Sequence, residues 1–391
     1  MRISVVQPGA RLHYAVPEIL AKAGVLRALH TDLHGEHRAI RLLDRLLPAG
    51  VTPKALRRLT GRRLPRDLPA SLVRDHPVAA LSVAIRGRGV PSRRLLADLE
   101  SCGLGEGDTV YTVLVNEDVE TMRRLKDRGV TIVHECIIGP DVGLHMIEEA
   151  ARFPGLEPAP DPNAVEAGRA RDREKYAVSD AVLTPSAFTD RAVADLSPVT
   201  TRKLVPYGMD IAQTVAPRPK PGRVLAVGSV GLRKGHPDLA AAARLLTAQG
   251  SRAEVRVVGP ADPDFARHPL LAGPTYVGQV PRSAVMEEFA RADVLAFPTI
   301  CDSFGLVLLE AMAMGVPVVC TPHCGDVVRD GIDGFVVPVR DPEALADRID
   351  RIVSDRDLRA RMSASALERA RDFSLDAYAG RLLAALGEVA A

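Results

Sequence analysis

Short β-branched runs alternate with longer stretches of helical spacing along almost the whole chain. Ile3 to Val6, Thr109 to Val115, Val130 to Val133, Ala181 to Thr184 and Lys203 to Val205 read as buried parallel strands, with helical spacing over Val16 to Ala23 and Asp118 to Lys126. The pattern breaks at Pro206-Tyr207-Gly208 and again at Pro217-Arg218-Pro219-Lys220-Pro221-Gly222. Alternating prolines can join neither a sheet nor a helix, so this stretch is predicted to be an extended connector. The alternation then restarts. Strands are predicted at Val224 to Val227, Ala253 to Val258, Tyr276-Val277, Val294 to Phe297, Pro317 to Cys320 and Phe335 to Val337. Helices are predicted over Pro237 to Ala248, Ser283 to Arg291, Ser303 to Met314 and Pro342 to Val353, with a last amphipathic segment from Asp376 to Leu386. Strand–helix alternation on both sides of a connector implies two doubly wound α/β layers. The predicted units are 1–210, a connector at 211–222, a second unit at 223–372, and a terminal helix at 373–391 that packs back on the first.

The length of 391 residues agrees with two domains, and 47% hydrophobic with 26% charged residues is a globular composition. No apolar run approaches the ~18 residues of a membrane span. Five scattered cysteines suggest reduced thiols, and the expected location is cytoplasmic. The net charge of +2 conceals an asymmetry. The segment 38–94 holds fourteen Lys/Arg against Asp44, Asp67 and Asp75, a net +11. Such a segment is either a solvated helical face or a surface for a phosphorylated acceptor or the anionic inner face of a membrane. It contains no aromatic residue to stack on bases, so nucleic acid is not an expected partner.

Open α/β sheets bind ligands at the carboxyl ends of their strands. After Val227 the chain reads Gly228-Ser229-Val230-Gly231-Leu232-Arg233-Lys234-Gly235 and enters a helix at His236-Pro237. Backbone amides, a helix amino terminus and two adjacent cations suit a diphosphate, although neither the Walker nor the dinucleotide glycine pattern is present. After Phe297 comes Asp302-Ser303-Phe304-Gly305-Leu306, with Glu310 inside a nearly continuous apolar run. An N-cap role would account for Asp302. It would leave Glu310 needing a partner or a ligand.

This stretch resembles the signature of retaining glycosyltransferase family 4, a Glu-x7-Glu motif, present here as Asp302-x7-Glu310. Arg233-Lys234-Gly235 resembles that family's phosphate loop. Val257-Val258-Gly259-Pro260 and Val277-Gly278-Gln279-Val280-Pro281 resemble two intervening loops, and Val205-Pro206-Tyr207-Gly208-Met209-Asp210 an interdomain motif in which Tyr207 replaces Asn. Val130 to Glu135 is similar to a strand ending in a cleft-facing His, and Pro185 to Thr189 to a Ser-x-Phe element. The resemblance implies a GT-B fold, two Rossmann-like domains facing a cleft, and transfer of a sugar from a nucleoside diphosphate to an acceptor hydroxyl. The acceptor could be a sugar, a lipid or a small molecule. UDP is expected first and GDP second, with no metal and no cofactor. Arg233 and Lys234 would stabilise the leaving diphosphate, Glu310 would hold the ribose or donor sugar, Asp302 would fix sugar hydroxyls, and His134 would contact the donor sugar. Gly228, Gly259, Val280, Ser303, Phe304, Gly305 and Leu306 would line the donor site. Gly9, His13 and Tyr14 would face the acceptor. A nucleotide-sugar 2-epimerase and a non-catalytic partner subunit of the same fold are the alternatives. Cys320-Thr321-Pro322-His323-Cys324 matches no zinc spacing, so no metal site is expected.

Overall fold

The computed structural model describes residues 1–37, 40, 62–76, 92–113, 119–211 and 215–390. Most of the basic segment 38–94, the end of the predicted strand at 114–115 and the first residue of the predicted helix at 118 lie outside the described residues. So does part of the connector, 212–214.

Two parallel sheets form the molecule. The first has the order β3-β2-β1-β4-β5-β6-β7, from β1 (Arg2–Val6), β2 (Leu26–Thr31), β3 (Val73–Asp75), β4 (Asp108–Thr112), β5 (Thr131–Glu135), β6 (Ala181–Thr184) and β7 (Arg202–Leu204). The second has the order β10-β9-β8-β11-β12-β13, from β8 (Arg223–Val227), β9 (Glu254–Val258), β10 (Thr275–Gly278), β11 (Val294–Phe297), β12 (Val318–Cys320) and β13 (Gly334–Val336). Among the described residues every strand pair is parallel. In each sheet the order reverses beside the first strand, between β1 and β4 and between β8 and β11. The loops after β1, β8 and β11 therefore open at switch points, where such sheets leave a crevice.

The hydrophobic pattern predicts neither β2 nor β3. Leu-Arg-Ala-Leu-His-Thr has no β-branched run, and three residues at a sheet edge are too short to show a period. The central strands β4, β6 and β11 are buried on both faces, which suits their largely apolar sequences, whereas β7 and β10 are half exposed at the sheet edges. The helix Leu306–Ala313 is apolar apart from Glu310 because it lies between the second sheet and the helix Arg356–Arg371. The terminal helix Leu375–Ala390 crosses back to the helix Ala15–Lys22 and to β5. Its crossing point is tight: a Cβ on Gly208 would stand 2.5 Å from the carbonyl of Ser374. One continuous apolar cluster runs from β1 through Tyr207, Phe304, Phe373 and Tyr378 into the second domain. Among the described residues no helix is long and apolar enough to cross a membrane.

Candidate functional site

The loop after β8 is squeezed between two others. A Cβ on Gly259 would stand 1.9 Å from the carbonyl of Gly228, and one on Gly235, at φ +69°, 1.9 Å from that of Pro298. Only glycine fits at such approaches. The compression brings the post-β8 and post-β11 loops together, since β8 and β11 are neighbours in the sheet. The carbonyl of Arg233 accepts from Ile300 N (2.9 Å) and Thr299 Oγ1 (3.1 Å), and Arg233 Nη1 donates to the Cys301 carbonyl at 3.2 Å. Lys234 Nζ forms an ion pair with Asp302 Oδ2 and lies 4.9 Å from the centre of the Phe297 ring; Arg233 Nη1 is 4.0 Å from the same oxygen.

Asp302 is held from both sides. Its amide donates to the His323 carbonyl (2.9 Å), and its Oδ1 accepts from Phe304 N at 3.2 Å. That last bond alters the expected role of the loop. The Phe304 amide is spent on Asp302, and the Phe304 ring is buried against Tyr207, centroids 5.2 Å apart, so its side chain is core rather than donor-site lining. The Ser303 carbonyl accepts from Ser186 Oγ (2.7 Å) and Thr189 Oγ1 (3.2 Å), side chains at the start of the first-domain helix Ala187–Leu196.

Three cavities lie along the cleft. One of about 440 Å³ is bordered by Arg233, Cys301, Asp302 and Ser303 on one side and by Ile137, Ile138, His145 and Phe188 on the other. Its rim carries a ring stack, Phe188 on His323 at 4.5 Å with His145 5.5 Å from His323. Burial holds both imidazoles below the ordinary histidine range, so they are neutral. A second cavity, of about 620 Å³, contains Glu310 together with Leu12, His13, Asp210, Arg282, Leu306 and Met314. Glu310 finds the partner its apolar run demanded in Arg282, at 2.6 Å. A third, of about 260 Å³, is lined by His134, Arg169, Asp172, Lys175 and Tyr176 and shares Ile137, Ile138, Gly139 and Val142 with the first.

The structure therefore brings Arg233, Lys234 and Asp302 together and separates Glu310 and His134 from them by cavity. His134, 4% exposed at the end of β5, packs against Tyr176, and burial, with Lys175 nearby, holds it well below the usual imidazole range. Gly9 donates its amide to Asp32 Oδ1 at 2.8 Å. His13 borders the Glu310 cavity, but Tyr14 is fully buried in the core and does not reach an acceptor. The cause is a run of left-handed residues, Leu12, His13 and Tyr14 at φ 47°, 53° and 63°, which turns the ring inward. Val280 packs on the core at its edge, and Gly305 takes φ +79° where the helix begins.

Sequence reasoning missed a buried network at Glu135. Its Oε1 accepts from Arg11 Nε (3.0 Å), Arg11 Nη2 (2.6 Å) and Tyr207 OH (2.5 Å), and its Oε2 accepts from Tyr111 OH at 2.5 Å. The only available signal was a charged residue closing a buried strand. Also missed was an interdomain clasp. Glu149 is bound by Arg152 (2.8 Å) and Arg340 (2.6 Å), while Arg152 reaches Asp238 in the second domain at 3.0 Å. Beside it Glu157 Oε1 accepts from the Leu232 amide at 2.9 Å, placing a first-domain carboxylate on the post-β8 loop.

Comparison with known proteins bears on the fold and on the second domain. Residues 210–369 match the family model described as glycosyl transferases group 1. A stretch of 103 residues is 44% identical to the D-inositol 3-phosphate glycosyltransferase of a Nocardioides species, covering 25% of this chain and 22% of that protein. The enzyme of the same name from Corynebacterium glutamicum is 38% identical over 104 residues, 26% of this chain and 25% of that protein. The matched stretch thus spans about a quarter of the length of these curated relatives. Among solved structures, sucrose-phosphate synthase from Thermosynechococcus elongatus superposes with a TM-score of 0.67 at 18% identity, covering 100% of this chain and 99% of that one. Anabaena HepE, in complex with UDP and glucose, superposes with a TM-score of 0.62 at 14% identity, covering 99% and 100%. The shared feature is the GT-B fold, two parallel-sheet Rossmann-like domains.

Proposed function

We propose that the protein is a retaining glycosyltransferase that moves a sugar from a nucleoside diphosphate, UDP in the first instance, to an acceptor hydroxyl. The observation that carries this reading is the convergence of Arg233 and Lys234 on Asp302 at the switch point of the second sheet, beside a cavity shared by both domains. Two fixed cations at the end of a parallel sheet suit a leaving diphosphate. They stabilise charge where it develops and make no demand for a metal in the cleft. Glu310 and Arg282 would hold the nucleoside end in the 620 Å³ cavity, which is large enough for it. Asp302 would then meet hydroxyls of the donor sugar. The acceptor would enter against Ile137, Ile138, His145 and Phe188.

With the leaving diphosphate on the same face as the incoming hydroxyl, front-face transfer retains the anomeric configuration. That the UDP-bound Anabaena protein shares the fold supports UDP as the first donor to try. The test is a thermal-shift screen against UDP-, GDP-, ADP- and dTDP-sugars, followed by turnover with and without candidate acceptors in Lys234→Ala and Glu310→Ala. Stabilisation by one nucleotide class, and acceptor-dependent turnover that both substitutions abolish, is the expected result. Full turnover in both variants overturns the assignment, and donor consumption that ignores the acceptor points to epimerase chemistry instead.

A further inference from the structure

Three donor groups of different chemistry, from His30, Asp98 and Cys102, meet on the face of the first sheet that the helix Ser92–Ser101 covers, away from the cavities of the cleft, and His76 stands beside Asp98. His30 of β2 pairs in register with Arg74 of β3, and His76 follows Arg74 by two residues. With a side-chain period of two, His30 and His76 lie on the same side of the sheet. Asp98 and Cys102 are four residues apart across the end of the helix and so share its face. His30 Nδ1 lies 2.7 Å from Asp98 Oδ2, and His76 Nε2 is 3.4 Å from the same oxygen. One donor atom each from His30, Asp98 and Cys102 falls within 4.8 Å of the others. His76 Nε2 is buried and makes no hydrogen bond, and the His76 backbone is fixed by its amide donating to the Asp32 carbonyl at 2.7 Å.

We propose that His30, His76, Asp98 and Cys102 form a binding site for a divalent transition metal of the zinc class. Two imidazoles, one carboxylate and one thiolate are a donor set that zinc takes in tetrahedral sites, and the thiolate and carboxylate together balance its charge. Tetrahedral donors stand roughly 3.3–3.8 Å apart at ordinary zinc bond lengths. The His76–Asp98 spacing is already in that range, and the His30–Asp98 hydrogen bond needs to open by well under an ångström; His76 Nε2 lies outside the 4.8 Å cluster of the other three donors and would swing in from beside Asp98 to complete the tetrahedron. Arg74 does not block the position: its Nη1 lies 3.5 Å from the other carboxylate oxygen, Oδ1. Cys102 Sγ now donates to the Asp98 carbonyl at 3.1 Å, a weak bond that the metal would replace. Four protein ligands leave no open position, so the metal is structural. It would tie the helix to β2 and to the three-residue edge strand β3. Nothing in this inference depends on the reaction assigned to the cleft.

The test uses the full chain, stripped with EDTA and titrated with Co²⁺, then with Zn²⁺ in competition. One equivalent of Co²⁺ should bind with a thiolate-to-metal charge-transfer band that Zn²⁺ abolishes, and Zn²⁺ should raise the melting temperature. The band should vanish in Cys102→Ser, and Zn²⁺ affinity should fall at least about tenfold in His76→Gln, both judged folded by circular dichroism in the metal-free state. The proposal is overturned if the wild-type chain shows no band, if the band survives in Cys102→Ser, or if Zn²⁺ binds His76→Gln as tightly as the wild type.

Discussion

The hydroxyl of Tyr207 donates to Glu135 Oε1 over 2.5 Å, tying the segment that leads into the second domain to the carboxyl end of β5. Arg11 from the post-β1 loop and Tyr111 from β4 close on the same carboxylate. Burial, with the charge of Glu135, raises both phenols well above their usual range, so they remain donors throughout the pH range of the folded protein. The network thus joins the loop that carries His13 into the Glu310 cavity with the crossing between the domains. Tyr207→Phe removes the hydrogen bond to Glu135 and the one the hydroxyl accepts from Arg11 Nη2, and should lower stability by at least about 1.5–3 kcal/mol. A urea midpoint that does not move would mean Arg11 and Tyr111 suffice to hold Glu135.

Asp302 and its two cations make a signed prediction about binding against turnover. Asp302→Asn removes a negative charge next to the position proposed for the diphosphate, so UDP alone should bind several-fold tighter by calorimetry. Sugar transfer should nevertheless fall by at least about tenfold, because a contact aimed at the reacting sugar is lost. Weaker UDP binding in this variant would show instead that Asp302 serves mainly to position Lys234.

How much of this could be read beforehand differs between the two halves. The second domain follows the pattern closely, because its buried parallel strands are unbroken apolar runs and its glycines mark the tight crossings at Gly235 and Gly259. Arg233, Lys234 and Asp302 are close in sequence to strand ends, so topology alone brings them together. The first domain hides its logic in long-range contacts. Glu135 draws partners from positions 11, 111 and 207, and the proposed metal ligands come from β2, the end of β3 and a helix. No local spacing reports such sets. The inward turn of Tyr14 depends on three successive left-handed residues, none of them glycine, which composition does not foretell.

Arg340 also stands in a left-handed conformation, φ 65°, while its guanidinium binds Glu148 and Glu149 at 2.6 Å each. Glu149 is fully buried, so the loss of Arg340 leaves it the ion pair with Arg152. Arg340→Ala should cost about 2 kcal/mol, less than the 3–5 expected for an orphaned buried charge. Arg340→Gly removes the same ion pairs and relieves the backbone, so it should be more stable than the alanine variant by about 1 kcal/mol. Paired denaturant titrations check the order, and an alanine variant equal to or above the glycine one would refute the strain argument.

His236 opens the helix behind the phosphate loop, and its Nδ1 lies 3.2 Å from the Gly231 amide, from which the neutral ring accepts. Burial depresses its pKa to about 4 from the ordinary 6.5 of an imidazole. The unfolded chain therefore takes up a proton at a higher pH than the folded one. Stability from this residue is complete above pH 6.5 and is lost as pH falls from there towards 4. The full loss is on the order of 3 kcal/mol at 1.36 kcal/mol per pKa unit. His236→Gln keeps an acceptor for the Gly231 amide but cannot titrate, so the difference in urea midpoint between wild type and variant should shrink or reverse from pH 7 to pH 4. Carboxylates that titrate in the same range act on both proteins alike and cancel in that difference. Parallel curves for the two proteins over this range would mean that His236 accommodates its proton in the fold, with the Gly231 carbonyl at 3.1 Å as the acceptor.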